Sequence, residues 1–396
     1  MHLSLEQLLR LIERPRDNFL MKLLPQILIV LVTTGLSAHA ESAPELSERT
    51  VDLGNDVSLR VIEAGQPASG VTLVLIPGWS TSADIWREQI NCFAATYRVI
   101  SFDPRSQGRS TITTTGNTPE TRAQDLHTLL DDLNVLRPVL IGWSQGVEDI
   151  AAYIDQYGTG DLSGIVLVDA ALSNGAEDMA PKSFAGLAHA RGMQQTAEQL
   201  KTYAVYQAHQ REYLADMMRA IVSKPQSNDA IEQLVTTALK TPPDVGVAMR
   251  IADSFGVNRT RVLKKIDCPT LIIASAKSGS LAQQQAQTKQ ISDARFEKVE
   301  DAAHAVFLDQ PDRFNELVTS FVAKLAPNAD LKVARTATTP APLVDKPVIP
   351  TLDHYRTPPK IVKAWQRHKR VGRVRTFWDK LRYGWIVEHP QNVKKK

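Results

Sequence analysis

Residues 138–146, Pro-Val-Leu-Ile-Gly-Trp-Ser-Gln-Gly, begin as an apolar run and end abruptly in small and polar residues. A short continuous apolar run is the signature of a parallel strand buried on both faces. After it, residues 147–157 carry apolar residues at Ile150, Ala151 and Ile154, which is helical spacing. Strand, tight turn and helix therefore meet at Ser144. Gly142 and Gly146 let the backbone turn there without a clashing Cβ, and the hydroxyl is left beside the positive end of the following helix.

The surrounding chain repeats this alternation. Short apolar runs predict strands at 57–63, 72–76, 98–102, 139–142, 164–168, 270–273 and 295–299, with helical patterns between them. Such alternation predicts an α/β architecture with a mostly parallel central sheet flanked by helices. Between the strands preceding and following residues 171–266 lies an insertion, about 172–266, that has helical spacing and no strong strand. We expect a helical lid there, with Met193, Tyr203, Tyr206, Tyr213, Met217, Met218 and Phe255 holding it together or facing the site.

Four stretches in order resemble the α/β-hydrolase family over about residues 45–325. They are Leu75-Ile76-Pro77-Gly78-Trp79, Asp103-Pro104-Arg105-Ser106-Gln107-Gly108-Arg109-Ser110, the Gly142-Trp143-Ser144-Gln145-Gly146 elbow, and the segment from Ala302 to Pro311 containing His304. The resemblance implies an α/β-hydrolase fold, with Ser144 as nucleophile, His304 as general base and the backbone N–H groups of Trp79 and Gln145 as oxyanion donors. The family's usual His before that glycine is Pro77 here, which a backbone donor tolerates. The Asp103–Ser110 loop is structural in the family. A serine hydroxyl is a weak nucleophile until an imidazole takes its proton, and the paired amides stabilise the oxygen that becomes negative.

The third member is the open position. After the strand near 270–273 the family commonly carries an acid where this chain has Ser278, with no carboxylate nearby in sequence. Asp169, at the end of the 164–168 strand, preserves the order Ser, Asp, His and is the expected acid. A carboxylate from the lid or a neighbouring loop, Asp253 or Asp301, is one alternative, and a dyad or a silent site without an acid is another. Ser144 in place of Asp argues against dehalogenase or epoxide hydrolase chemistry, and favours a small or medium carboxylic ester as substrate. Lactones and perhydrolysis use the same serine chemistry. Trp79 and Trp143 flank the oxyanion region and are expected to shape an apolar acyl pocket, although Trp143 is also placed to pack under the elbow. No metal-ligand spacing and no glycine-rich phosphate loop occur, so no cofactor is expected.

The chain has 396 residues, 43% hydrophobic and 22% charged, and a net charge of +3. That charge is unevenly placed: residues 331–396 hold 16 Lys and Arg against 4 Asp and Glu, a balance of +12 that leaves the rest at −9. We read residues 1–40 as a leader whose portion 21–40 is a signal peptide: a Lys22 start, an apolar centre over 23–36, and small residues Ala38 and Ala40 before Glu41. Residues 1–20 are either a basic extension of that leader or the product of an upstream start. Export to the periplasm or medium follows, with 41–326 as the hydrolase domain and 327–396 as a Pro-rich linker and basic tail. Within the tail, Val374, Phe377, Trp378, Leu381 and Trp385 fall at helical spacing among basic residues. This pattern suits either an anionic membrane surface, met by residues 360–396, or a solvated extension. Export argues against nucleic acid as a partner, and nothing in the sequence speaks to oligomeric state. Cys92 and Cys268 fall four strand positions apart, beyond disulfide reach.

Overall fold

The computed structural model describes residues 46–66, 70–172, 193–255 and 259–325. The leader, the Pro-rich linker and the basic tail lie outside these residues, as do the side chains of Met193 and Phe255. The strands are β1 (Leu46–Asp52), β2 (Ser58–Ala64), β3 (Thr72–Ile76), β4 (Arg98–Phe102), β5 (Val139–Trp143), β6 (Gly164–Val168), β7 (Thr270–Ser275) and β8 (Ala294–Val299). They form one sheet in the order β1-β2-β4-β3-β5-β6-β7-β8. The β1–β2 and β2–β4 pairs are antiparallel and every other pair is parallel.

The helices are α1 (Arg87–Phe93), α2 (Pro119–Asp132), α3 (Gln145–Tyr157), α4 (Met193–Ala208), α5 (Gln210–Ala220), α6 (Asn228–Ala238), α7 (Pro243–Phe255), α8 (Leu281–Thr288), α9 (Val306–Asp309) and α10 (Pro311–Val322). Side chains alternate across a strand, so each buried run feeds two cores. Leu73, Leu75, Val139, Ile141, Trp143 and Ile273 join one core with α1, α10 and the lid helices. Val74, Ile76, Leu140, Ile165, Leu167 and Ile272 join the other with α2 and α3. The 172–266 insertion supplies α4 to α7, with no strand among its described residues.

One strand is additional to the expected set. β1 reads Leu-Ser-Glu-Arg-Thr-Val-Asp, lies at the sheet edge and is largely exposed. An exposed, charge-bearing edge has neither the buried run nor the clean alternation that marks a strand in sequence, and charges on an edge discourage pairing with other chains. β5 and β7 also extend past their expected ends, to Trp143 and Ser275. Both cysteines are free.

Candidate active site

The turn from β5 into α3 is held in an unusual conformation. Ser144 has φ 56° and ψ −114°, a region costly for a residue with a Cβ, at about 1–3 kcal/mol. The flanking glycines permit it through close approach: a Cβ on Gly142 would lie 2.5 Å from the Gly146 carbonyl oxygen, and one on Gly146 would lie 2.6 Å from that of Ile76. Serine at a helix N-cap ordinarily accepts a bond from the first turn. The Ser144 side chain makes no such bond. Its Oγ instead lies 2.9 Å from His304 Nε2.

His304 arrives on the loop between β8 and α9, and three features hold it. Its Nδ1 is 2.8 Å from Asp169 Oδ2. The Trp143 indole N–H donates to its carbonyl at 2.8 Å, and the Trp143 ring packs against the imidazole with centroids 5.2 Å apart. Next in the chain, the Ala305 N–H donates to Ile221 O at 2.7 Å, which ties the loop to the end of α5. Asp309 adds to that tie: buried, it accepts from the Ser223 N–H with both oxygens and from the Ala303 N–H at 2.7 Å.

Asp169 follows β6 with φ 48°. Its N–H donates to Ile273 O at 2.8 Å, and its Oδ1 accepts the Ser275 N–H at 2.8 Å. The strand next to β6 therefore fixes the carboxylate while its other oxygen meets the imidazole. Of the alternative acids, Asp301 is exposed. Asp253 is buried on the other side of the elbow, where it accepts from Arg122 at 2.7 Å and from the Gln145 side-chain amide at 2.6 Å. Ser278 accepts from Gln284 at 2.9 Å.

The backbone N–H groups of Trp79 and Gln145 donate to no acceptor among the described residues. Each residue is anchored by its side chain instead. The Trp79 indole donates to Gly246 O at 3.0 Å, and its ring packs on Tyr206 and Tyr213 of the lid at 4.9 and 6.4 Å. The Gln145 amide joins Asp253 to the Gln107 amide, which donates to Gln145 Oε1 at 3.1 Å. The Asp103–Ser110 loop thus acts as a brace. Asp103, fully buried, accepts the N–H groups of Ala83 and Arg109 at 2.8 and 2.7 Å. Trp143, expected at the acyl pocket, is 2% exposed. It backs the imidazole, with Phe307 edge-on at 5.2 Å.

A second ionic cluster lies behind the elbow. Arg122 bridges Asp149 at 2.8 Å and Asp253 at 2.7 Å. Glu148, one turn into α3, is pushed up to about 8, chiefly by burial and then by the nearby Asp253 carboxylate. Burial also raises Asp149, although Arg122 beside it opposes the shift. No group of His, Cys, Asp and Glu suited to a metal ion occurs among the described residues.

Residues 73–317, more than half of the chain, match the alpha/beta hydrolase family. The chain belongs to that family. This alpha/beta hydrolase is 28% identical over 210 residues to the non-heme chloroperoxidase CPO-A1 of Kitasatospora aureofaciens, covering 52% of this chain and 73% of that protein. It is 23% identical over 277 residues to 3-oxoadipate enol-lactonase 1 of Acinetobacter baylyi, covering 67% and 93%. Its fold matches an esterase from Exiguobacterium antarcticum with a TM-score of 0.60 at 20% identity, over 70% of this chain and all of that one. The chain is an alpha/beta hydrolase enzyme.

Sequence motifs led to Ser144, His304, Asp169, Trp79 and Gln145. They carried no sign of Arg122, of the place behind Gln145 that Asp253, an alternative acid in the sequence, takes up, or of the part Asp309 plays beneath the histidine loop. Those contacts join segments far apart in sequence, and only the motif around His304 included one of the residues.

Proposed function

We propose that this chain is an exported serine hydrolase that cleaves a small or medium carboxylic ester through an acyl-serine intermediate. The observation that carries this reading is the continuous line Ser144 Oγ, His304 Nε2, His304 Nδ1, Asp169 Oδ2, with steps of 2.9 and 2.8 Å. In this mechanism the imidazole takes the Ser144 proton as Oγ attacks the ester carbonyl, and Asp169 holds the tautomer and stabilises the imidazolium. The developing oxyanion meets the Trp79 and Gln145 N–H groups, which are preorganised and unpaired. His304 then protonates the departing alcohol, and the same groups direct water at the acyl-serine.

A second reading, a serine-dependent lactonase or perhydrolase, draws on the same intermediate. The enol-lactonase relative favours a cyclic ester, and hydrogen peroxide in place of water would give perhydrolysis. In either reading the leader at 21–40 directs export, and the basic segment 360–396 meets an anionic membrane surface.

The test is intact mass of the purified chain after exposure to a fluorophosphonate, beside Ser144→Ala. Rapid addition of one label in the wild type, absent in Ser144→Ala, is expected, with the recovered chain starting at Glu41. A folded wild type that takes no label would replace this reading with a catalytically silent ligand-binding or partner-binding fold. A retained N-terminal leader would remove the export claim alone.

A further inference from the structure

Gly246, Arg250 and Asp253 stand at i, i+4 and i+7 on α7, the spacing of a single helix face. The first accepts the Trp79 indole N–H at 3.0 Å and the last accepts the Gln145 side-chain amide at 2.6 Å. These are the two residues whose backbone N–H groups are unpaired beside Ser144. Helix α7 therefore lies across the oxyanion region with Arg250 between its two points of attachment. The guanidinium carbon is 5.5 Å from the centroid of the Trp79 ring, and the Tyr203 hydroxyl donates to the Arg250 carbonyl at 3.2 Å.

The guanidinium itself forms no ion pair or hydrogen bond among the described residues, and the side chain is only partly buried. Other arginines of this domain are matched. Arg60 meets Glu48, Asp84 and Asp103, Arg122 meets Asp149 and Asp253, and Arg259 meets Glu120. Asp253 is no substitute partner for Arg250, because one of its oxygens faces Arg122 and the other faces Gln145. Burial pulls its pKa down, yet the Tyr203 hydroxyl and then the Asp253 carboxylate raise it above the ordinary guanidinium value, so Arg250 stays cationic. A guanidinium carries five donors in a planar fork that fits a carboxylate in bidentate fashion.

We propose that Arg250 is a substrate-binding residue that receives a free carboxylate on the ester, so that the preferred substrates are half-esters of dicarboxylic acids. This rests on the serine hydrolase reading, and its test is a binding measurement that needs no turnover. Monoethyl succinate, glutarate and adipate, each beside its diethyl ester, are titrated calorimetrically into Ser144→Ala, Ser144→Ala/Arg250→Gln and Ser144→Ala/Arg250→Lys. Melting temperatures verify that each variant is folded. At least one half-ester is expected to bind Ser144→Ala about tenfold tighter than its diester. That preference is expected to vanish with Gln and to survive in part with Lys. Equal affinity for all three pairs in Ser144→Ala, or a preference that persists with Gln, would overturn the proposal. Failure of fluorophosphonate labelling in the wild type bears on the hydrolase reading alone.

Discussion

Asp169 and Asp253 lie on either side of Ser144, and by burial and hydrogen-bond count they are near twins. Each is at least nine-tenths buried, and each has both oxygens engaged. Asp169 meets a backbone N–H and an imidazole, whereas Asp253 meets a guanidinium and a side-chain amide. The imidazole is the one partner of the four able to take up and release a proton near neutral pH. Arg122 holds its charge throughout. One carboxylate is thus coupled to proton transfer and the other to the position of Gln145 and α7, so the partner decides the role and burial does not.

The largest expected effect breaks this contrast on its first side. Asp169→Asn keeps the acceptor for Ser275 but presents an amide to His304 and reverses the favoured tautomer. Ester turnover is expected to fall by about 10³–10⁴-fold with little loss of fold, measured by steady-state rates beside circular dichroism. Unchanged turnover would mean that the acid lies elsewhere.

On the other side, Arg122→Met leaves Asp149 and Asp253 buried together without their shared cation. Removing one partner of a buried ion pair costs about 3–5 kcal/mol, so a large drop in the urea midpoint is expected. A midpoint near that of the wild type would show that water or Arg259 compensates.

Glu148 sharpens the comparison through pH. Its folded pKa is pushed up to about 8 from 4.5, so the folded state holds a proton that the unfolded state has released. Its contribution to stability is complete below about pH 4.5 and is lost as pH rises through about 8. The facing groups are Asp253 on α7, Asp149 on α3, Arg122 on α2 and Arg259. Glu148→Gln cannot ionise, so its stability advantage over the wild type should grow between pH 5 and 8.5, to about 2–4 kcal/mol. Urea titrations at pH 5, 7 and 8.5 measure it, and parallel pH curves for the two proteins would refute it.

The smallest effect concerns the backing of the imidazole. Trp143→Phe deletes the donor to the His304 carbonyl, with an expected loss of about 1–2 kcal/mol of stability. A modest fall in turnover should accompany it, as His304 loses its support.

What the sequence made legible follows from how local each signal is. β5 and β6 are continuous apolar runs because both faces are covered, and Ser144 sits where one run meets a helix. β1 carries charges on an open edge and has no such signature. Asp169 is legible as the expected acid from its strand end and the order Ser, Asp, His, whereas its contact with the His304 imidazole and the engagement of Asp253 by Arg122 join distant segments and leave no local pattern. From its place beside Ser144, Trp143 is expected either to shape the acyl pocket or to pack under the elbow. Its burial behind His304 depends on the pleat, which turns it to the face where Phe307 packs. Arg250 belongs to no motif, and its position follows from two long-range contacts of α7.

The tie between Ala305 and Ile221, reinforced by Asp309 and Ser223, bears on how this enzyme can diversify. A lid is often pictured as a cassette that can be exchanged to alter substrate range. Here the segment after α5 is also a splint for the histidine loop. A transplanted lid whose backbone does not bring a carbonyl and an N–H to where Ile221 and Ser223 present theirs would bring a new roof and loosen the base. Grafts that keep residues 221–224 and replace α6 and the chain on either side of it are the ones that can change selectivity while leaving His304 in register.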